Sequence, residues 1–263
     1  MSEWNLAICE TNQINIHYVR TGGNKPPLIL LHGLTANGAC WTSVAQSLEG
    51  EYDVIMPDAR GHGKSSAPID GYRYEDHVND IEGLIHSLRL SHPIVIGHSM
   101  GGMTAAFLAS RKSRLLRGLG LVDPTFLNPQ VQREVYESDA AEQHRRLLSE
   151  SPEETLAEAR TKHPQRSLET LKLIAEARHQ TSISAFQVLM PPNPEYKQLV
   201  SAIDVPSLLV IAEKGVVSQA VAEELRGLSP RLYVEKIMGA GHGVHYDQPE
   251  QFADVIQSFL RAI

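Results

Sequence analysis

Between positions 93 and 110 the sequence passes from the β-type run Pro93-Ile94-Val95-Ile96 to the Ala-rich, helix-forming stretch Gly102 to Ser110. Only five residues separate the two, Gly97-His98-Ser99-Met100-Gly101, a G-x-S-x-G pattern. A short apolar run with no polar face belongs to a strand buried on both sides, as in a parallel sheet covered by helices. The junction can only be a sharp turn, and Gly97 and Gly101 lack the side-chain bulk that would keep it from closing. A serine at the apex of such a turn projects its Oγ above the sheet. Ser99 is therefore a candidate nucleophile; the bland reading of the same five residues is a plain glycine turn.

The rest of the chain repeats this alternation. Asn15 to Arg20 alternates apolar with polar residues, and Leu28 to Leu31, Val54 to Met56, Leu119 to Val122, Ser207 to Ala212 and Arg231 to Ile237 read as further strands. Val78, Ile81, Leu84, Ile85 and Leu88 share one helical face, as do Phe252, Val255, Ile256, Phe259 and Leu260. Strands alternating with amphipathic helices predict an α/β architecture, a doubly wound sheet with helices on both faces. From Pro129 to about Ala202 no strand is visible and charges become dense. Glu142 to Glu150, Pro152 to Lys162 and Ser167 to Gln180 read there as helices, punctuated by Pro164 and by Pro191-Pro192-Asn193-Pro194. The expected organisation is a catalytic core of residues 1–124 and 203–263 with a helical cap at 125–202.

A serine nucleophile needs a base. His242 stands in Gly239-Ala240-Gly241-His242-Gly243, on a flexible glycine loop after a strand, from which it could swing to the serine. Alone it would read as an exposed loop histidine. His245, outside the glycines, reads as packing. Two more segments complete the pattern: the strand Pro27 to Leu31 ending in His32-Gly33-Leu34, and the turn Asp58-Ala59-Arg60-Gly61-His62-Gly63-Lys64-Ser65. From about Asn15 to Leu260 the chain thereby resembles the α/β-hydrolase superfamily. That resemblance implies a mostly parallel eight-stranded sheet flanked by helices with a helical cap insertion, and a triad in the chain order serine, acid, histidine.

The acid is where the chain departs from the common pattern. Most members carry it after the next-to-last strand in a run resembling G-x-x-D, whereas here Ala212-Glu213-Lys214-Gly215 follows Ser207 to Ala212, with glycine in the expected position. Asp123, in Gly120-Leu121-Val122-Asp123-Pro124, ends the strand after the nucleophile helix, and some relatives carry their acid there. Its carboxylate would hold the imidazole of His242 in the required tautomer; otherwise Asp-Pro merely ends a strand. Asp123 is the candidate acid and Glu213 its rival. Leu121-Val122-Asp123-Pro124, Gly215 and Asp58-Ala59-Arg60-Gly61-His62-Gly63 are similar to N-formylmaleamate deformylases and to related amide and enamide hydrolases. The resemblance further implies an oxyanion hole made by the backbone N–H groups of Leu34 and Met100. His32 reads as a hydrogen bonder that fixes its loop. A small dicarboxylate substrate would require cations, for which Arg178 and His179 or Arg145 and Arg146 are candidates, although helical arginines commonly serve as solvated surface.

Composition narrows the partners. A formal net charge of −7 argues against nucleic acid or an anionic membrane, since either would call for a basic face. No secretory signal and no bilayer-spanning apolar run is visible, and the two cysteines, Cys9 and Cys40, read as thiols in a reducing compartment, so the expected location is cytoplasmic. Gly239 to Val244 begins like G-x-G-x-x-G but ends in valine with no βαβ unit after it, and none of the 12 histidines falls in H-E-x-x-H. No cofactor and no metal is expected.

The expected activity is that of a serine hydrolase acting on a small-molecule ester, amide or formamide through an acyl-enzyme. Two rivals share the fold: a lyase or cofactor-independent oxygenase that reuses the histidine as a proton shuttle, and a small-molecule receptor that retains the triad for binding.

Overall fold

Alternate residues along the central strands go to opposite sides of one sheet, and each side is closed by its own set of helices. The computed structural model describes residues 4–263. Its strands are β1 (Asn5–Thr11), β2 (Ile14–Arg20), β3 (Pro27–Leu31), β4 (Asp53–Pro57), β5 (Ile94–His98), β6 (Gly118–Val122), β7 (Ser207–Lys214) and β8 (Leu232–Gly241). They form a single sheet in the order β1-β2-β4-β3-β5-β6-β7-β8. The β1-β2 and β2-β4 pairs are antiparallel and all later pairs are parallel. Every residue of β4, β5 and β6 is buried, as the apolar runs require of strands covered on both faces.

The α-helices in chain order are α1 (Thr42–Leu48), α2 (Tyr74–Ser87), α3 (Met100–Lys112), α4 (Pro129–Glu137), α5 (Ala140–Leu147), α6 (Pro152–Lys162), α7 (Leu168–His179), α8 (Tyr196–Ala202), α9 (Gln219–Leu228), α10 (Val244–Asp247) and α11 (Pro249–Ala262). On one face Ile29, Val95, Leu121 and Leu209 pack with α2, α3, α8 and α9. On the other, Leu28, Ile94, Val122 and Val210 pack with α1 and α11 through Leu48, Phe252, Ile256 and Phe259. The period of two in the strands thus meets the helical period of α2 and α11 at two separate cores.

Between β6 and β7 the regular structure is all helical, α4 to α8 with a 3-10 segment at Ile183–Leu189, joined by irregular connections. Two of these helices, α4 and α8, are not among the segments read as helical from the sequence. α4 is marked instead by its start, where the Asn128 side chain accepts the N–H groups of Gln130 and Val131 ahead of Pro129. α8 is only seven residues long. One expectation needs correcting: β8 runs to Gly241, so Gly239 to Gly241 belong to a strand and His242 follows it directly rather than riding on a loose glycine hinge. The sheet pairing of Lys214 with Gly241 accounts for this. Among the described residues no helix is long and apolar enough to cross a membrane.

Candidate active site

Ser99 sits between β5 and α3 with φ +55° and ψ −117°, a backbone conformation that costs an L-residue on the order of 1–3 kcal/mol. Hydrogen bonds to three segments hold it there. Its N–H donates to Val122 O at 3.0 Å, and its carbonyl accepts from Met103 N at 3.1 Å and Thr125 N at 3.3 Å. The flanking glycines are required by space: a Cβ on Gly97 would overlap the Gly101 carbonyl, and one on Gly101 would overlap the Leu31 carbonyl at the end of β3.

Asp123 follows β6 and is fully buried, again with positive φ, +38°. Its N–H still pairs with Val210 O at 2.8 Å, which keeps the residue at the sheet's carboxyl edge. The carboxylate accepts the N–H of Val216 at 2.9 Å and that of Val217 at 3.0 Å. Such a cradle compensates an anion withdrawn from water.

His242 joins the two. Its Nδ1 lies 2.6 Å from Asp123 Oδ2 and its Nε2 lies 2.9 Å from Ser99 Oγ. Asp123 can only accept, so Nδ1 carries the proton and donates it, which leaves the Nε2 lone pair facing the serine hydroxyl. The His98 ring donates from Nε2 to the His242 carbonyl at 2.8 Å. Burial, with the neighbouring His242 next in importance, pushes the pKa of His98 down to about 3, so it serves as a neutral donor. Glu213 stands elsewhere: it is exposed and accepts the Gly239 N–H at 2.8 Å. The structure therefore brings Ser99, Asp123 and His242 together and leaves Glu213 outside.

The Gly33-Leu34 segment passes beside the serine, close enough that a Cβ on Gly33 would stand 3.1 Å from Ser99 Cβ. Leu34 lines the cleft, and Met100 is buried at the first turn of α3, whose N-terminus carries partial positive charge. His32 is buried, donates from Nδ1 to Gly33 O at 2.8 Å and accepts the Ala59 N–H on Nε2 at 2.9 Å, tying this loop to the turn after β4. His245 is buried and stacks on Trp41, with centroids 4.2 Å apart.

A cleft of about 490 Å³ opens over His242. Of the four cations considered from sequence, the cleft holds only Arg178. Arg145 and Arg146 are exposed and pair with Glu142, and His179 is hydrogen-bonded to Thr155. Burial lowers the pKa of Arg178, and its guanidinium makes no hydrogen bond or ion pair of its own among the described residues. Arg166 also reaches the cleft but is engaged by Asp247 at 2.7 Å. Among the described residues no group of three or more His, Cys, Asp or Glu is placed to hold a metal ion. The Val216 and Val217 amides, the His98 tether and the Arg166–Asp247 pair left no trace in the sequence, because backbone amides carry no residue signature and an ion pair across 81 positions has no local spacing.

Comparison with known proteins agrees with this architecture. A family model for the alpha/beta hydrolase fold matches residues 26–249. The chain is 27% identical over 256 residues to a 2-(acetamidomethylene)succinate hydrolase from Mesorhizobium japonicum, covering 93% of this chain and 91% of that one. It is 31% identical over 261 residues to an N-formylmaleamate deformylase from Pseudomonas putida, covering 95% and 94%. A solved structure of an E-2-(acetamidomethylene)succinate hydrolase superposes with a TM-score of 0.85 at 23% identity, over 98% of this chain and 100% of the other.

Proposed function

The chain belongs to the alpha/beta hydrolase family, and from that premise we propose that it is a serine hydrolase cleaving a small carboxylic amide, ester or formamide through an acyl-enzyme. The observation that carries this reading is the unbroken chain of hydrogen bonds Ser99 Oγ to His242 Nε2 at 2.9 Å and His242 Nδ1 to Asp123 Oδ2 at 2.6 Å. Its parts are ordered for nucleophilic attack, with the acid fixing the tautomer and the base aimed at the nucleophile.

Ser99 Oγ adds to the substrate carbonyl while His242 Nε2 takes its proton. The oxyanion that forms is received by the N–H groups of Leu34 and Met100, and the buried Asp123 carboxylate stabilises the imidazolium. His242 then returns the proton to the leaving nitrogen or oxygen, which departs and leaves the acyl group on Ser99. Water, deprotonated by the same Nε2, cleaves that ester and restores the serine.

Residues 125–202 act as a cap over a core made of residues 1–124 and 203–263, and this cap chooses the substrate. Both relatives are named for compounds that carry carboxylate groups, a succinate and a maleamate. Arg178, an unpaired cation in the cleft wall, suits an acyl substrate bearing a carboxylate, because a partly desolvated guanidinium gains most from a bidentate anion.

Reaction with a fluorophosphonate followed by peptide mapping tests the nucleophile. Labelling of Ser99, together with a loss of turnover of roughly 10⁴- to 10⁶-fold in Ser99→Ala, is expected. An unlabelled wild-type protein would instead favour a lyase or oxygenase that uses His242 only to move protons.

A further inference from the structure

A buried cation of the helical insertion has its partner inside the segment that carries His242. Arg166, two residues before α7 begins, donates from Nε to Asp247 Oδ1 at 2.7 Å, and the two side chains retain only 10% and 5% exposure. With its other oxygen, Oδ2, Asp247 accepts at 2.9 Å the N–H of Gly241, the residue directly before His242. The Arg166 guanidinium also lies over the Tyr246 ring, 5.3 Å from its centroid. A Cβ on Gly243 would come within 2.9 Å of Arg166 Nη2, so the arginine closely covers the residue after His242 as well.

We infer that Arg166 and Asp247 are positioning residues: together they latch the insertion onto the His242 segment and hold the imidazole at Ser99. The inference rests on the triad reading of the preceding subsection.

The His242 side chain is 41% exposed, so packing alone does not fix it and the backbone on either side has to. Four side chains anchor that backbone: His98 at the His242 carbonyl, Glu213 at the Gly239 N–H, Gln248 through an exposed bond at the Gly239 carbonyl and Asp247 at the Gly241 N–H. Glu213 is exposed, where water screens and competes with its hydrogen bond. Asp247 is shielded, and its bond to Gly241 depends on Arg166. Without the guanidinium an almost buried carboxylate would lack its counter-charge, and it would turn toward water or take up a proton, in either case loosening its grip on Gly241. The same stretch of chain enters α7, which presents Ile174 and Arg178 to the cleft. Substrate contact on α7 and placement of the base therefore share one element.

The test uses the full chain with Arg166→Met, Arg166→Lys and Asp247→Asn, each assayed well below its own thermal midpoint. Turnover of a small neutral ester gives kcat and KM, and the rate of Ser99 phosphonylation by a small alkyl fluorophosphonate reports on the base without demanding cleft contacts. In Arg166→Met and Asp247→Asn, kcat is expected to fall roughly 10- to 100-fold with KM changed less than about threefold, and phosphonylation to slow by a similar factor. Arg166→Lys keeps the ion pair and should recover most of the loss. Should the Met variant fail to fold, Asp247→Asn and Arg166→Lys carry the comparison. Values of kcat within about threefold of wild type in Asp247→Asn and in a folded Arg166→Met would overturn the latch and leave the hydrolase reading standing. So would a raised KM with unchanged phosphonylation, which would make Arg166 a substrate ligand. A wild-type protein that is not phosphonylated at Ser99 would overturn the hydrolase reading itself.

Discussion

A Cβ placed on Gly215 would stand 2.6 Å from both carboxylate oxygens of Asp123. The glycine where an aspartate is usual and the aspartate at the end of β6 are two halves of one arrangement. The space that a side chain at position 215 would fill is the space in which the Asp123 carboxylate meets the Val216 and Val217 amides and His242.

Gly215→Ala should therefore damage catalysis without replacing Ser99, Asp123 or His242. Carbon and carboxylate oxygen cannot remain at that distance, so either the β7 end or the acid must shift, and a displacement near 1 Å costs roughly 10²-fold in kcat. Steady-state kinetics on a small ester decides the matter, with circular dichroism to confirm folding. An unchanged kcat in the folded variant would mean that Asp123 has slack in its pocket.

Exchange of the acids themselves separates their roles. Asp123→Asn offers an amide to His242 Nδ1, removes the charge that stabilises the imidazolium and permits the wrong tautomer, which should lower kcat on the order of 10⁴-fold. Glu213→Gln removes only a charge at an exposed backbone contact and should cost less than about tenfold. Comparable losses in both variants would contradict the assignment.

Arg178 offers a test of substrate class. Matched esters with and without a terminal carboxylate should be distinguished by the wild-type protein, and Arg178→Gln should lower kcat/KM for the charged ester by roughly 10- to 100-fold while sparing the neutral one. Equal losses on both substrates, or none, would remove the carboxylate from the reading.

Features set by local chemistry are legible in the sequence. The β5 run, the glycines about Ser99 and the apolar faces of α2 and α11 are each dictated by neighbours a few positions away. Which of Asp123 and Glu213 meets His242 is open from sequence, because what separates them is the cradle of Val216 and Val217, formed by backbone 93 and 94 positions distant. The end of β8 departs from the sequence expectation for a related reason. Gly239 and Gly241 look flexible in isolation, yet pairing of Gly241 with Lys214 and the bond from Gly241 N to Asp247 make them part of an ordered edge. α8 was hidden by its length, and its apolar face, with Leu199 and Val200, is defined only by α3 and α9 packed against it.

The buried histidines make stability depend on acidity. His32, His62, His77, His98 and His245 all have pKa values lowered chiefly by burial, with His77 and His98 brought to about 3. The sign follows from which state binds the proton. Below an unfolded-state value near 6.5 the unfolded chain takes up protons that the folded chain refuses, so the stability these groups contribute is full above that pH and is lost as pH falls toward the folded values. Asp80, whose burial raises its pKa, acts in the opposite sense in the carboxylate range. Each such histidine contributes a slope of about 1.4 kcal/mol per pH unit, so two of them alone give about 3 kcal/mol per unit, a large share of the roughly 5–15 kcal/mol that holds a domain folded. Denaturant unfolding at pH 7, 6 and 5 should show a steep decline in stability across this interval, with proton uptake on unfolding measurable by calorimetry in buffers of different ionisation enthalpy. A flat stability profile between pH 7 and 5 would mean that these imidazoles remain accessible to protons in the folded state.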